Sequence, residues 1–251
     1  MYPRRGLHGE LVHRIARLIL SGKLQPGDPL PVVGDSVAGL TVSRSVSREA
    51  IKVLAAKGLL ESRQRVGTHV RERIHWSLLD PDVLAWFGDI DPDPHVLRAL
   101  AEVRQIIEPA AARLASDRAT AGERELLRAL YEEMEASSGD PEEFADIDVR
   151  FHATILTASH NDFLNQMNAA ITAALRSTRR WSARVWIQSQ GESGGLDMKL
   201  PAHKQVLAAI ERHDPDAADL AMRALIDEAR RDLEDALTRE AARVSAGGYV
   251  G

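Results

Sequence analysis

Asp148 and His152 stand four residues apart in FADIDVRFHATILTASHN, a stretch of helical periodicity in which Phe144, Phe151 and Ile155 are their neighbours. Residues four apart share one helix face, so a carboxylate and an imidazole project together into what the apolar neighbours mark as a core. His203 occupies a similar place, on the stripe continued by Val206, Leu207 and Ile210. Burying such groups is costly unless they pair with one another or hold a cation. One hard oxygen with two borderline nitrogens suits Zn²⁺, Ni²⁺ or Mn²⁺. The spacing equally suits a plain Asp148–His152 hydrogen bond, with His203 serving the core separately. Arg104 is a fourth polar residue on an apolar face, shared with Leu100, Ile107 and Ala111. Its planar fork can clamp a ligand carboxylate or form an internal salt bridge with Glu108 or Asp148.

A second set of residues suits recognition rather than catalysis. In TVSRSVSREAIKVLAAKG, Val46, Ala50, Val53 and Leu54 form one helix face and Arg44, Arg48 and Lys52 form another. Ser45 and Ser47 add small hydroxyls, Ser43 is placed to cap the helix, and Gly58 to end it. A helix anchored on one side and cationic on the other can lie in a DNA major groove, where arginine pairs with guanine O6 and N7. A solvated basic surface helix has the same pattern, so the flanking segments matter.

Upstream, Leu7, Leu11, Ile15, Leu18 and Ile19 mark an amphipathic helix that ends at Ser21-Gly22. Gln25-Pro26-Gly27-Asp28 marks a turn, and residues 33–40 are expected to form a short second helix. Downstream, GLLESRQRVGTHVRER predicts two short strands around residues 64–67, with Arg65 and Gly67 at the tip. Three helices and a two-stranded basic hairpin describe a winged helix-turn-helix over residues 5–73.

Charge follows this division. The chain of 251 residues is acidic overall, yet residues 1–75 hold 13 Lys and Arg against 6 Asp and Glu, and the remainder 19 against 31. A basic module on an acidic body concentrates a phosphate-attracting field in one place. Cysteine is absent, which excludes disulfides, thiolate metal sites and cysteine nucleophiles. No leader-like segment opens the chain and no apolar run is long enough to span a bilayer, so a cytoplasmic protein with no membrane partner is expected. Residues 74–92 read as a linker with a short helix through Val83–Phe87. Residues 93–243 read as an all-helical antiparallel bundle, with helices over 95–117, 121–137, 141–159, 162–189, 199–213 and 215–243. The fold class is mainly α.

LILSGKLQPGDPLP and VSRSVSREAIKVLAAKGLLESRQRVGTHV resemble the DNA-binding domain of the GntR family. RALAEVRQIIEPAAARLAS, FADIDVRFHATILTASHN and HKQVLAAIERHDPDAADLAMRA are similar to the ligand-binding FCD domain of its FadR subgroup. The first resemblance implies base or phosphate contacts by Arg44 and Arg48, and a wing at Arg65 and Gly67. The usual Glu-Arg at the start of the second helix is replaced by Val33-Gly34. Metal-containing FCD domains use an Asp, a His four residues later and two further histidines. Carried over by motif, the first three are Asp148, His152 and His203, while Leu225 stands at the fourth position.

The resemblance further implies a small carboxylate effector held by Arg104. HWSLLDPDVLAWFGDIDPDP is similar to the same stretch of a galactonate-responsive member of the subgroup, which implies a sugar acid. Trp186 is a further candidate for the effector pocket, with Trp181, Arg180 and Arg184 on the same helix. The expectation is a dimeric repressor that binds double-stranded DNA at a palindromic operator and carries out no catalysis. The alternatives are a metal-sensing regulator and a helical metallohydrolase built on His213-Asp214. Capping of the next helix accounts better for that dipeptide.

Overall fold

Leu11, Val12, Ile15, Ala16, Ile19 and Leu20 recur at three- and four-residue spacing, and in the computed structural model they form the buried face of helix α1 (Gly6–Leu20). The structure describes residues 6–33, 36–87, 90, 94–137, 140–168, 171–172, 175–176 and 199–247. The chain divides into two compact units, Met1–Asp93 and Pro94–Gly251.

In the first unit the chain turns through residues 25–28, where the Gln25 amide donates to Asp28 Oδ2 at 2.7 Å. The expected helix over 33–40 does not form. Its described residues lie instead in three two-residue antiparallel strands, β1 (Val32–Val33), β2 (Ser36–Val37) and β3 (Leu40–Thr41). The physical reason is local. Val32, Val33 and Val37 are β-branched, and Ala38 (φ 50°) and Gly39 (φ 79°) form a left-handed two-residue turn between Val37 and Leu40. Helix α2 (Arg44–Ala56) follows, capped by Ser43, whose hydroxyl accepts from the Val46 amide at 3.3 Å. Ala50 and Leu54 are its buried anchors.

The wing is β4 (Leu60–Arg63) paired antiparallel with β5 (Gly67–Val70). Residues 27–30 back it, through the Gly27 amide to the Val70 carbonyl at 2.9 Å and the Leu30 amide to the Thr68 carbonyl at 2.8 Å. A 3₁₀ turn (Arg73–His75) and α3 (Pro81–Phe87) complete the unit. These segments are fastened to the end of α2. The Lys57 ammonium lies 2.7 Å from Asp80 and 2.8 Å from Asp82, over the Trp86 ring. Burial pulls the Lys57 pKa down, but the two carboxylates outweigh it and raise it. Gly58 has φ 74°, and a Cβ there would stand 1.9 Å from the His75 carbonyl oxygen.

The second unit is built from helices joined by short turns: α4 (Pro94–Arg118), α5 (Ala121–Ala136), α6 (Pro141–Ala158), α7 (Leu200–Glu211) and α8 (Pro215–Gly247). Residues 162–168 are also helical. Helix starts are written in the sequence: Thr120 and Glu123 form a reciprocal capping box, and Asp140 caps α6 ahead of Pro141. Ala111, Ala112 and Ala115 let α4 approach its neighbours closely, and Leu127, Phe144, Phe151, Val206, Ile210 and Met222 fill the core around them. No helix among the described residues is long and apolar enough to cross a membrane.

Gly58→Ala is expected to destabilise the protein by at least about 2 kcal/mol, from left-handed strain and the clash with His75. Gly122→Ala, at a helical position with open space around it, should leave stability unchanged or raise it. Chemical denaturation of the two variants checks the contrast.

Candidate functional site

On α2 the apolar side faces the unit while Arg44, Ser45, Arg48 and Lys52 are exposed and Ser47 is half-buried. Arg44 and Ser45 sit in the first turn, directly after the Ser43 cap. Lys52 pairs with Glu49 at 2.8 Å, a solvent-exposed contact of little energetic weight. Arg65 occupies the wing tip with left-handed backbone, φ 65°. Gly67 has φ 103°, and the atom closest to a Cβ there would be His69 Cε1 at 3.9 Å. The demand for glycine at this point is thus conformational rather than one of space. Val33 lies in β1, whereas Gly34 lies outside the described residues.

In the helical unit, α6 presents Asp148 and His152, α7 presents His203, and α4 presents Arg104 and Glu108. All five are at least 95% buried. The ligating atoms of Asp148, His152 and His203 lie within 4.8 Å of one another. His203 Nε2 is 3.1 Å from Asp148 Oδ1, and His152 Nε2 is 3.8 Å from the same oxygen. Phe151 packs edge-on to both imidazoles, at 6.0 Å from His152 and 5.5 Å from His203.

The tautomers follow from what faces each ring. His203 Nδ1 is 2.9 Å from the Lys199 carbonyl oxygen, which can only accept, so Nδ1 donates. His152 Nδ1 is 2.6 Å from Glu108 Oε2, again an acceptor. That contact is short but off the N–H direction, and neither ring nitrogen of His152 has an aligned hydrogen-bond partner. Both Nε2 atoms are left directed at Asp148. A neutral imidazole in this tautomer would oppose a lone pair to a carboxylate, an arrangement that calls for a proton or a cation between them. Around a tetrahedral ion with bonds of about 2.1 Å, ligand atoms stand roughly 3.4 Å apart, and the two separations bracket that value. Leu225 is buried in the apolar cluster and adds no fourth ligand.

Arg104 takes the salt-bridge partner Glu108 rather than Asp148: Nε donates to Oε1 at 2.6 Å. Burial pushes the Glu108 carboxyl up, but Arg104 and then His152 outweigh it and hold its pKa down to about 2. Glu108 is the site residue that sequence reasoning treated only as a possible partner. The signal was present, since Arg104-x-x-x-Glu108 repeats the spacing of Asp148-x-x-x-His152. Trp186, Trp181, Arg180 and Arg184 lie outside the described residues. His213 and Asp214 join two helices: His213 bonds the Ser116 carbonyl at 3.0 Å, and Asp214 Oδ1 accepts from the Ala217 amide at 3.0 Å. The dipeptide is a cap.

The sequence profile of the gntR family of bacterial regulatory proteins matches residues 7–70, and that of the FCD domain matches residues 99–228. The galactonate operon transcriptional repressor of Escherichia coli (strain K12) is 34% identical over 225 residues, covering 90% of this chain and 96% of that protein. The chain belongs to the GntR family. Its FCD domain is the mark of the FadR subgroup, and GntR proteins are DNA-binding transcriptional regulators rather than enzymes. The Uxu operon transcriptional regulator of Escherichia coli (strain K12) is 31% identical, covering 83% of this chain and 79% of that protein. The solved structure of Lar, which controls expression of the Listeria monocytogenes agr system, has a TM-score of 0.61 at 18% identity. It covers 92% of this chain and 98% of that one, and it shows that this GntR member shares its fold.

Folding favours the ionised form of Glu108, so its contribution is complete above about pH 4.5 and is lost as pH falls toward about 2. The loss should be on the order of 3 kcal/mol. Denaturation midpoints of metal-free protein between pH 6 and pH 3 should fall on the acid side, and Glu108→Gln should flatten that slope.

Proposed function

We propose that this protein represses an operon for sugar-acid catabolism and leaves its operator when a small carboxylate, an aldonate such as galactonate, binds the helical unit. In this reading residues 5–73 form the DNA-binding domain, 74–92 a linker and 93–243 the effector-binding domain. Arg44, Ser45, Ser47, Arg48 and Lys52 meet a palindromic operator as part of a homodimer, with Arg65 and Gly67 in the wing. The observation that carries the effector reading is the buried cluster: a guanidinium beside two imidazoles and a carboxylate, closed off from water by apolar packing. Arg104 would hold the effector carboxylate and Asp148, His152 and His203 its hydroxyls. The similarity to the galactonate repressor supports the choice of a sugar acid.

The same three residues fit a divalent ion, Zn²⁺, Ni²⁺ or Mn²⁺. When bound, such an ion would supply a positive charge and open coordination positions for effector oxygens. Asp148, His152 and His203 would hold it, with the Lys199 carbonyl and Glu108 fixing the two rings from behind. An effector that binds one domain arrangement better than another changes DNA affinity by that difference and no more.

Arg44→Ala and Arg48→Ala should each lose on the order of 1–3 kcal/mol of operator affinity and relax sequence choice. Lys52→Ala should weaken binding to all DNA alike and reduce the salt slope by about one unit. Unchanged operator binding in both arginine variants, measured by fluorescence anisotropy, would remove α2 from the reading.

A thermal-shift panel of aldonates, amino acids and dicarboxylates tests the effector. Aldonates should stabilise the protein, by about 2.7 kcal/mol at a hundredfold excess over Kd, and Arg104→Ala should abolish the shift. Elemental analysis should find a chelator-removable divalent ion that His152→Ala loses. Release from the operator by metal alone, with no aldonate response, would make the ion the signal.

A further inference from the structure

Glu108 sits at the middle of α4 and touches two groups with different tasks. Its Oε1 lies 2.6 Å from Arg104 Nε, its Oε2 lies 3.5 Å from Arg104 Nη2, and the same Oε2 lies 2.6 Å from His152 Nδ1. The inner edge of the guanidinium is therefore taken by the protein itself. Among the described residues Nη1 has no hydrogen-bond partner, so one nitrogen of the fork remains for a ligand.

Charge counting gives this bridge a consequence. Among the described residues of the helical unit, the buried acidic, basic and imidazole side chains are Arg104, Glu108, Asp148, His152 and His203. In the form that ligates a metal, with both imidazoles neutral, one cation faces two carboxylates among the described residues, and this cluster is singly negative. A carboxylate ligand entering that form alone would add a second uncompensated buried charge. A divalent ion entering alone would leave the pocket singly positive. The ion together with one carboxylate brings the sum to zero.

We propose that Glu108 is a positioning and specificity-determining residue: by binding Arg104 and His152 at once, it makes the pocket take a divalent cation and a singly charged carboxylate as a pair, and disfavours dicarboxylates. This rests on the reading of the cluster as a metal and effector site. Without Glu108 the loaded pocket would carry one more positive charge, and a dianion would then be the balancing ligand.

Isothermal titration of the full-length protein tests this with galactonate and galactarate, which share a carbon skeleton and differ by one carboxylate, each with and without Zn²⁺. In the wild type, Zn²⁺ should tighten galactonate binding at least about tenfold, and galactonate should bind at least about tenfold better than galactarate. Glu108→Gln should weaken Zn²⁺ binding by roughly 10–100-fold, because His152 loses its support, and should narrow or reverse the preference between the two acids. Lactate and malonate, run in parallel, separate the two levels of the reading. Should that pair follow the metal-dependent one-charge rule while the sugar acids do not bind, the sugar-acid reading fails and the role of Glu108 stands. Carboxylate binding that ignores Zn²⁺ in the wild type overturns the proposal. So does a folded Glu108→Gln that keeps both its Zn²⁺ affinity and its preference. If that single variant does not fold, Glu108→Asp keeps the charge beside Arg104 but withdraws the carboxylate from His152. It should retain the preference for the singly charged acid, because the net charge is unchanged, and should still lose Zn²⁺ affinity.

Discussion

A carboxylate sealed away from water has to be met by positive charge or by hydrogen-bond donors, and in the helical unit Glu108 and Asp148 both impose that demand. The groups that answer it come from distant parts of the sequence: Arg104 from α4, His152 from α6 and His203 from α7. Apolar burial supplies most of the drive to bring these helices together, but it is non-directional and would tolerate a small slide of one helix along another. Contacts at 2.6 Å and 3.1 Å would not. The polar cluster therefore sets the register of a core whose bulk comes from Leu, Ile, Phe and Ala.

The DNA-binding unit solves a different problem. The cations along α2, Arg44, Arg48 and Lys52, face outward, where water screens them, and the unit's precision comes from the backbone. Gly58 and the left-handed Ala38-Gly39 turn are points where conformation and close approach decide the path. Lys57 is the exception, a half-sheltered ammonium held by Asp80 and Asp82. It ties the end of α2 to the start of α3, so the segment after the wing is built into the unit and does not merely follow it.

How much of this was legible follows from what each feature depends on. Helix periodicity, the Thr120–Glu123 capping box and the wing are local, and α4, α5, α6 and α8 begin and end within a few residues of their expected bounds. The inward orientation of Arg104, Asp148, His152 and His203 was also legible, because a polar residue on an apolar stripe is conspicuous. Residues 33–40 depart from the expected short helix because their valines and glycine favour strands and a tight turn, a preference that the turn signal before them does not reveal. Glu108 was underrated for a different reason. Its contact with His152 joins two helices, and no spacing within a single helix reveals that.

The two faces of α2 answer to separate demands. Ala50 and Leu54 hold the helix to its unit, while Arg44, Ser45 and Arg48 make no contribution to the core. Mutations on the exposed face can accordingly accumulate without loss of folding, and on the proposed reading gene duplicates of such a protein can diverge toward new operators one side chain at a time. On the proposed reading the helical unit offers no such freedom: the groups assigned to the effector are also its buried charges, so a change of effector requires compensating changes elsewhere in the core. Lineages built on this plan should retarget their DNA sites more readily than they change the signals they answer to.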